Sequence, residues 1–335
     1  MRLPSWCKIN RIVDVSLRLT PGDLLVADDG RVLLYVRRVH GLKVITVPKY
    51  VAGNGPWSIP YFTTLRRIIR TYSPREISAL FSIADKEYLP YYGATAPLQD
   101  LTTFKGLVCS LTPPLYRIMA ELDWFSDNEW SLLSTVLPEL LMCGKPTGSL
   151  LMASLKSFSD IDIIYVIDNS LCRKALEEHI QYNRVRPLPH TQLAEWCYRE
   201  ASSRGLPIEI IAKLYRPWSR FVLGKRTISL SFASASLRWS EERRIVHTSN
   251  SIVETTVHVD SYSYSLADFP AVVETQEGIY ILVYDGLFIP PLYEGGVFHV
   301  RGIKSKISTS KGDLEALVIG TREALTFVEP LRVHV

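Results

Sequence analysis

The sequence predicts an α+β protein of several domains, and three observations carry that expectation. Residues 1–50 hold short apolar runs separated by turn formers. Residues 61–141 carry helical spacing, and residues 142–215 then alternate between helical and strand patterns. Residues 227–335 alternate apolar with polar positions and are rich in β-branched and aromatic types. A chain of 335 residues exceeds one small core and suits about two or three units. The pattern divides it into a β-hairpin region at 1–58, a helical region at 59–141, an α/β core at 142–226 and a small OB-like β-barrel at 227–335.

Each element has a local reason. LLVADDGRVLLYVRRV is two apolar runs split by Asp28-Asp29-Gly30, and His40-Gly41 marks a second hairpin before LKVITV. GNGPWSIP, residues 53–60, is dense in turn formers and reads as a boundary. YFTTLRRIIRTY reads as a helix with apolar and basic faces. SPREISALFSIA opens a helix with Ser73 as N-cap and Pro74 at the first helical position. SDNEWSLLSTVLPELLM places Ser126 and Glu129 at capping-box spacing, then an apolar stripe that Pro138 kinks or shortens. After the turn at 144–148 come a short helix from Ser149, a strand at 160–167, helices at 170–182 and 190–204, and a strand at 206–214. TISLSFASA, IVETTVHVDSY, IYILVYD, VFHVRGI and EALVIG read as the strands of a small β-barrel or sandwich.

Composition narrows the class. The chain is 47% hydrophobic and 21% charged, an ordinary globular balance. Its net charge of +4 permits nucleic acid as a partner, but local clusters decide that question. The start MRLPSWCKINRIVDVSL lacks a signal peptide's apolar core, and no apolar run reaches the ~18–20 residues that span a bilayer. The expectation is a cytoplasmic protein with no membrane partner. The five cysteines (7, 109, 143, 172, 197) form no CxxC and have no histidine at ligand spacing. They read as buried free thiols rather than a zinc site. Asn and Gln total only 10, a thermophile-like scarcity that would also accommodate an intracellular disulfide.

One stretch carries chemistry: GSLLMASLKSFSDIDIIYVID, residues 148–168. Asp160 and Asp162 sit inside an apolar strand, where a carboxylate costs several kcal/mol unless something positive meets it. Two residues apart on a strand, they share a face with Cα atoms ~6.5–7 Å apart. Ionised, they repel each other. A divalent cation resolves both problems, and Mg²⁺ (or Mn²⁺) commonly shares such ligands with substrate phosphates. Gly148 and Ser149 begin a helix whose free N–H groups suit a phosphate, with Lys145 and Lys156 near enough to add charge. The competing structural reading makes the aspartates an exposed strand end. Asp168 reads as a helix cap.

Gly148-Ser149, ten intervening residues and Asp160-Ile161-Asp162-Ile163 resemble the signature of the DNA polymerase β superfamily of nucleotidyltransferases. The resemblance implies that Asp160 and Asp162 hold Mg²⁺ and a nucleoside triphosphate, and that Gly148 and Ser149 hold its phosphates. It also implies a third acidic residue on a later strand of the same sheet. Glu209, in the apolar run Pro207-Ile-Glu-Ile-Ile211, is the candidate for both metal ligand and catalytic group, with a simple salt bridge as the competing reading. The motif covers about a fifth of the chain. Beyond it, the layout is similar to archaeal predicted nucleotidyltransferases.

YRPWSRFVLGKR, residues 215–226, interleaves Arg216, Arg220, Lys225 and Arg226 with Tyr215, Trp218 and Phe221. That mixture suits base stacking with phosphate contact, or else a solvated basic face over a core tryptophan. Arg66, Arg67 and Arg70 make a second basic face, equally open to both readings, and LRWSEERR mixes Arg238, Arg243 and Arg244 with two glutamates. The expected function is Mg²⁺-dependent transfer of a nucleoside monophosphate from an NTP to an acceptor hydroxyl. RNA is the first acceptor, and a protein side chain or a small alcohol stays open. The runner-up is an inactive nucleic-acid- or ribosome-binding protein that keeps the fold. A toxin-like modifier of tRNA or protein is the third, disfavoured by the added domains.

Overall fold

The aspartate strand forms where the apolar run predicts it, as Ile161–Val166, with Ile161 and Ile163 fully buried. In the computed structural model the described residues are 9–10, 19–59, 63–81, 86–89, 94–108, 131, 138–152, 154, 156, 159–182, 185–235, 244–246, 251–310, 312–321 and 324–333. They make a mixed α/β structure, mostly strands in three sheets, with seven α-helices. No closed barrel occurs among them. The chain divides into two units: residues 1–70, 98–188 and 217–235 form the first, and residues 71–97, 189–216 and 236–335 the second.

In the first unit, the hairpin signals hold. Leu24–Ala27 and Arg31–His40 pair across the Asp28-Asp29-Gly30 turn, and Arg31–His40 pairs on to Lys43–Ile59. Leu25, Leu33, Tyr35, Val44, Leu101 and Phe104 close a core on this sheet. Two expectations fail here. GNGPWSIP is not a boundary: Lys43–Ile59 runs through it, with a bulge between Ala52 and Trp57. Gly55 serves close approach, since a Cβ there would lie 2.0 Å from the Leu65 carbonyl oxygen. The expected helix at 61–72 is instead a strand, Thr63–Arg67, paired with Lys43–Ile59. An available sheet edge outweighs a weak helical pattern that starts with β-branched Thr63 and Thr64.

The five-stranded core sheet of this unit runs in the order Arg186–Pro187, Arg220–Leu223, Arg226–Ala233, Ile161–Val166, Gly144–Pro146. Arg226–Ala233, expected in the barrel, pairs parallel with the aspartate strand, with Asp162 opposite Ser229. Parallel neighbours need a long crossover, and residues 167–225 supply it. Helices Pro138–Cys143 and Ser170–Tyr182 pack on the aspartate strand. A disulfide joins Cys143 to Cys172, so these two are not the free thiols expected. Cys197 is free and buried, and Cys7 and Cys109 lie outside the described residues. Most of the expected helix at 126–142 also lies outside them; apart from Ser131, the described part starts at Pro138.

In the second unit, the helix Pro74–Ala79 has Ser73 as N-cap, accepting from the Glu76 N–H at 3.3 Å. It packs on His190–Arg204, which also packs on Ile208–Leu214. That last element was expected to be a strand. Ile210, Ile211 and Leu214 are buried at helical spacing, and Pro207, which donates no N–H, stands at the N-cap. The C-terminal strands centre on Gly296–Thr309, which pairs with Arg244–Val246 and Ile252–Val259 on one edge and with Gly312–Ile319 and Phe327–Val333 on the other. Arg204 is buried between Glu200 and Asp285, donating to both at 2.6 Å. Those two carboxylates hold its guanidinium charged above its usual range, against the opposing effect of burial.

Candidate functional site

Two cations meet the two aspartates. The Lys49 Nζ, on the strand Lys43–Ile59, donates to Asp162 Oδ2 at 3.1 Å. Arg220, on the strand Arg220–Leu223, donates through Nη2 to Asp160 Oδ2 at 2.5 Å and through Nη1 to Ser229 Oγ at 2.5 Å. The exposures differ in a useful way: the Lys49 side chain is 1% exposed, Asp162 31% and Asp160 40%. The lysine is fixed from inside, while both carboxylates open outward. Ile161 and Ile163 are buried in the core, Asp162 lies between them on the strand's other face, and Asp160 immediately precedes the strand.

The Gly-Ser turn reaches the same place. Thr147 donates its N–H to the Asp162 carbonyl at 3.0 Å, and its hydroxyl donates to the Gly22 carbonyl at 2.7 Å. The helix Gly148–Leu151 follows, and Gly148 has φ +60°. A Cβ on Gly148 would lie 2.6 Å from Asp162 Oδ2 and 2.7 Å from Lys49 Nζ. Only glycine fits both the backbone conformation and the space. The helix is four residues long, so the field at its start is weak beside the two side-chain cations. Ser149 is buried at this turn.

The other expected residues are distributed differently. Lys145 is half-buried and its Nζ is spent on Asp23 Oδ1 at 2.6 Å, on both oxygens of Thr20 and on the Pro21 carbonyl. Burial pushes its ammonium below the usual range, and Asp23 opposes that. It holds the first strands in place instead of a phosphate. Lys156 joins through its backbone, accepting from Arg226 Nη1 at 3.2 Å and from the Ser159 N–H at 3.0 Å. Asp168 is not the helix cap: it accepts from Ser234 Oγ and the Ala235 N–H, both at 2.7 Å, while Asn169 caps Leu171.

Glu209 is an exposed residue in the first turn of a helix in the second unit, so it is not a carboxylate embedded in a strand. The sheet neighbours of the pair, RFVL and RTISLSFA, carry no third acidic residue, and Ser229 stands opposite Asp162. Within YRPWSRFVLGKR, Trp218 is 2% exposed and stacked on Phe232, and Arg216 is buried with Glu294, so neither presents a surface to a base. Lys225 is exposed at the turn before Arg226–Ala233. Arg66, Arg67 and Arg70 are exposed, the first two on a strand and not on a helical face. Arg238 and Arg243 lie outside the described residues.

Sequence reasoning missed Lys49. Its signal was a lysine inside the apolar run VITVPKYV, the basic counterpart of the aspartates that it meets.

The pair fits a divalent cation by the chemistry of its donors. Each carboxylate offers hard oxygens on one open face, with one oxygen already turned to a cation. No group of three or more His, Cys, Asp and Glu gathers among the described residues. The protein would therefore supply two carboxylate ligands to such an ion. Comparison with protein-family models, curated proteins and solved structures returned no match to this chain. Among the described residues no helix is long and apolar enough to cross a membrane.

Proposed function

We propose that this chain is a nucleotidyltransferase that moves a nucleoside monophosphate from an NTP to an acceptor hydroxyl. One observation carries the reading: the Gly148 backbone, Asp162 and the buried Lys49 converge so closely that no Cβ fits between them. A turn whose backbone approaches a carboxylate and a fixed cation suits a triphosphate bound together with Mg²⁺ or Mn²⁺. The metal would supply charge neutralisation at the phosphates. Asp160 and Asp162 would hold it, Lys49 and Arg220 would draw phosphate oxygens to the same face, and the Gly148-Ser149 backbone would orient them. The acceptor oxygen bonds the α-phosphorus as the α–β bridging bond breaks, pyrophosphate leaves with the electron pair, and the hydroxyl proton passes to water. The five-stranded core sheet of the first unit would be the nucleotidyltransferase core. The C-terminal strands would form an OB-like module that selects the acceptor, with RNA favoured.

A second reading is favoured by Ser229. It stands opposite Asp162, on the neighbouring strand where a third carboxylate would complete an acidic triad. On that reading the protein binds nucleotide and a nucleic-acid or ribosomal partner without turnover.

The test incubates the protein with each α-labelled NTP, Mg²⁺ or Mn²⁺ and total cellular RNA, beside the Asp160→Asn/Asp162→Asn double variant. Transfer predicts label in RNA, or in the protein itself, that the variant loses. Label that persists in the variant removes the metal assignment. Absence of label, with RNA and NTP both retained, establishes the binding protein.

A further inference from the structure

We infer that Lys49 and Arg220 are stand-in cations, which hold the carboxylate pair when nothing is bound and pass to the phosphates when metal and triphosphate arrive. The inference rests on the metal–triphosphate reading above and adds to it a residue from outside the motif, together with an order of exchange.

The geometry supplies each part. Asp160 immediately precedes the strand Ile161–Val166 and Asp162 is its second residue, and each gives one oxygen, Oδ2, to a cation from a different strand. A pair of adjacent carboxylates without counter-charge repels. Lys49 cannot turn to solvent, because its side chain is 1% exposed, whereas Asp162 is 31% exposed. A ligand on the open side can therefore take the carboxylate but cannot displace the lysine. The Gly148 turn sits against the same two atoms, so a phosphate bound by that turn comes within reach of Lys49 Nζ. Arg220 repeats the arrangement at Asp160, with Ser229 Oγ holding its other nitrogen. The free state is charge-balanced at this face. Two carboxylates face two cations in the free protein. In the bound state they face the divalent ion, and the lysine and arginine face the phosphates.

This exchange makes two effects of opposite sign. A stand-in cation competes with a metal for the carboxylates, and it attracts a polyphosphate. Removing it should strengthen binding of the metal alone and weaken binding of the polyphosphate. A lysine that merely supports the fold would weaken both or change neither.

The experiment uses the full chain. Mn²⁺ binding is read from the loss of the free-ion paramagnetic resonance signal, and inorganic tripolyphosphate binding by titration calorimetry. Wild type is compared with Lys49→Met and Arg220→Met. The expected result is Mn²⁺ affinity raised several-fold in each variant. Tripolyphosphate affinity should fall about tenfold, the loss of one charge-assisted hydrogen bond. Circular dichroism confirms folding, and the partly exposed Arg220 keeps the test alive should Lys49→Met not fold. If wild type binds Mn²⁺ and tripolyphosphate but both variants match it, the stand-in role is overturned and the functional reading stands. If neither wild type nor variants bind either probe, both fall.

Discussion

Gly148→Ala tests the junction on which the site depends. The substitution places a Cβ at a position with φ +60°, 2.6 Å from Asp162 Oδ2 and 2.7 Å from Lys49 Nζ. The left-handed backbone costs an L-residue about 1–2 kcal/mol by itself. Both contacts are too short to stand, so either Lys49 or Asp162 must move and their ion pair opens. Breaking a fully buried pair costs ~3–5 kcal/mol, and the partial exposure of Asp162 brings that down to about 1–3 kcal/mol here. Gly41→Ala separates the two effects. Gly41 has φ +51° and open space where its Cβ would go, so it reports backbone strain without the clash. Urea titration of both variants measures the difference. Gly148→Ala should unfold at a midpoint roughly 0.5–1.5 M lower than Gly41→Ala, for a denaturant slope of ~2 kcal/mol/M. It should also weaken tripolyphosphate binding, which Gly41→Ala leaves unchanged. Equal midpoints and equal binding would refute the claim that the turn packs on the ion pair.

Two further outcomes test the second unit. Arg204→Met strands Asp285 and Glu200, which are 2% and 11% exposed, so it should cost ~3–5 kcal/mol and lower the thermal midpoint. A variant within about 1 kcal/mol of wild type would show that the triad is better solvated than its geometry indicates. Glu277 gives a pH signature. Partial burial raises its carboxyl, but hydrogen bonds from the His258 ring and N–H outweigh that and bring it from 4.5 down to about 2. A depressed carboxylate stabilises the fold above its unfolded value and loses that contribution as pH falls through the folded one. The stability gap between wild type and Glu277→Gln should therefore be full above pH 4.5 and close between there and about 2. A gap that does not change with pH in acid unfolding would contradict the assignment.

Much of the local structure was legible. The Asp28-Asp29-Gly30 turn, the Ser73 cap, the helices at 170–182 and 190–204 and the strand holding Asp162 all follow from signals within a few residues of chain. Two of the misreadings share a cause. Ile208–Leu214 and Thr63–Arg67 are five to seven residues long, too short for periodicity to separate helix from strand. A sheet edge decided one and a helical packing face the other.

The site divides along the same line. By itself, the sequence determined that Gly148-Ser149 and Asp160-x-Asp162 lie on one turn–helix–strand segment, because strand alternation and turn chemistry are local. Only the tertiary structure decided what meets the carboxylates. Lys49 is 113 residues from Asp162, and Arg220 is 60 from Asp160. A buried charge selects its partner by position in space, and no spacing along the chain encodes that position.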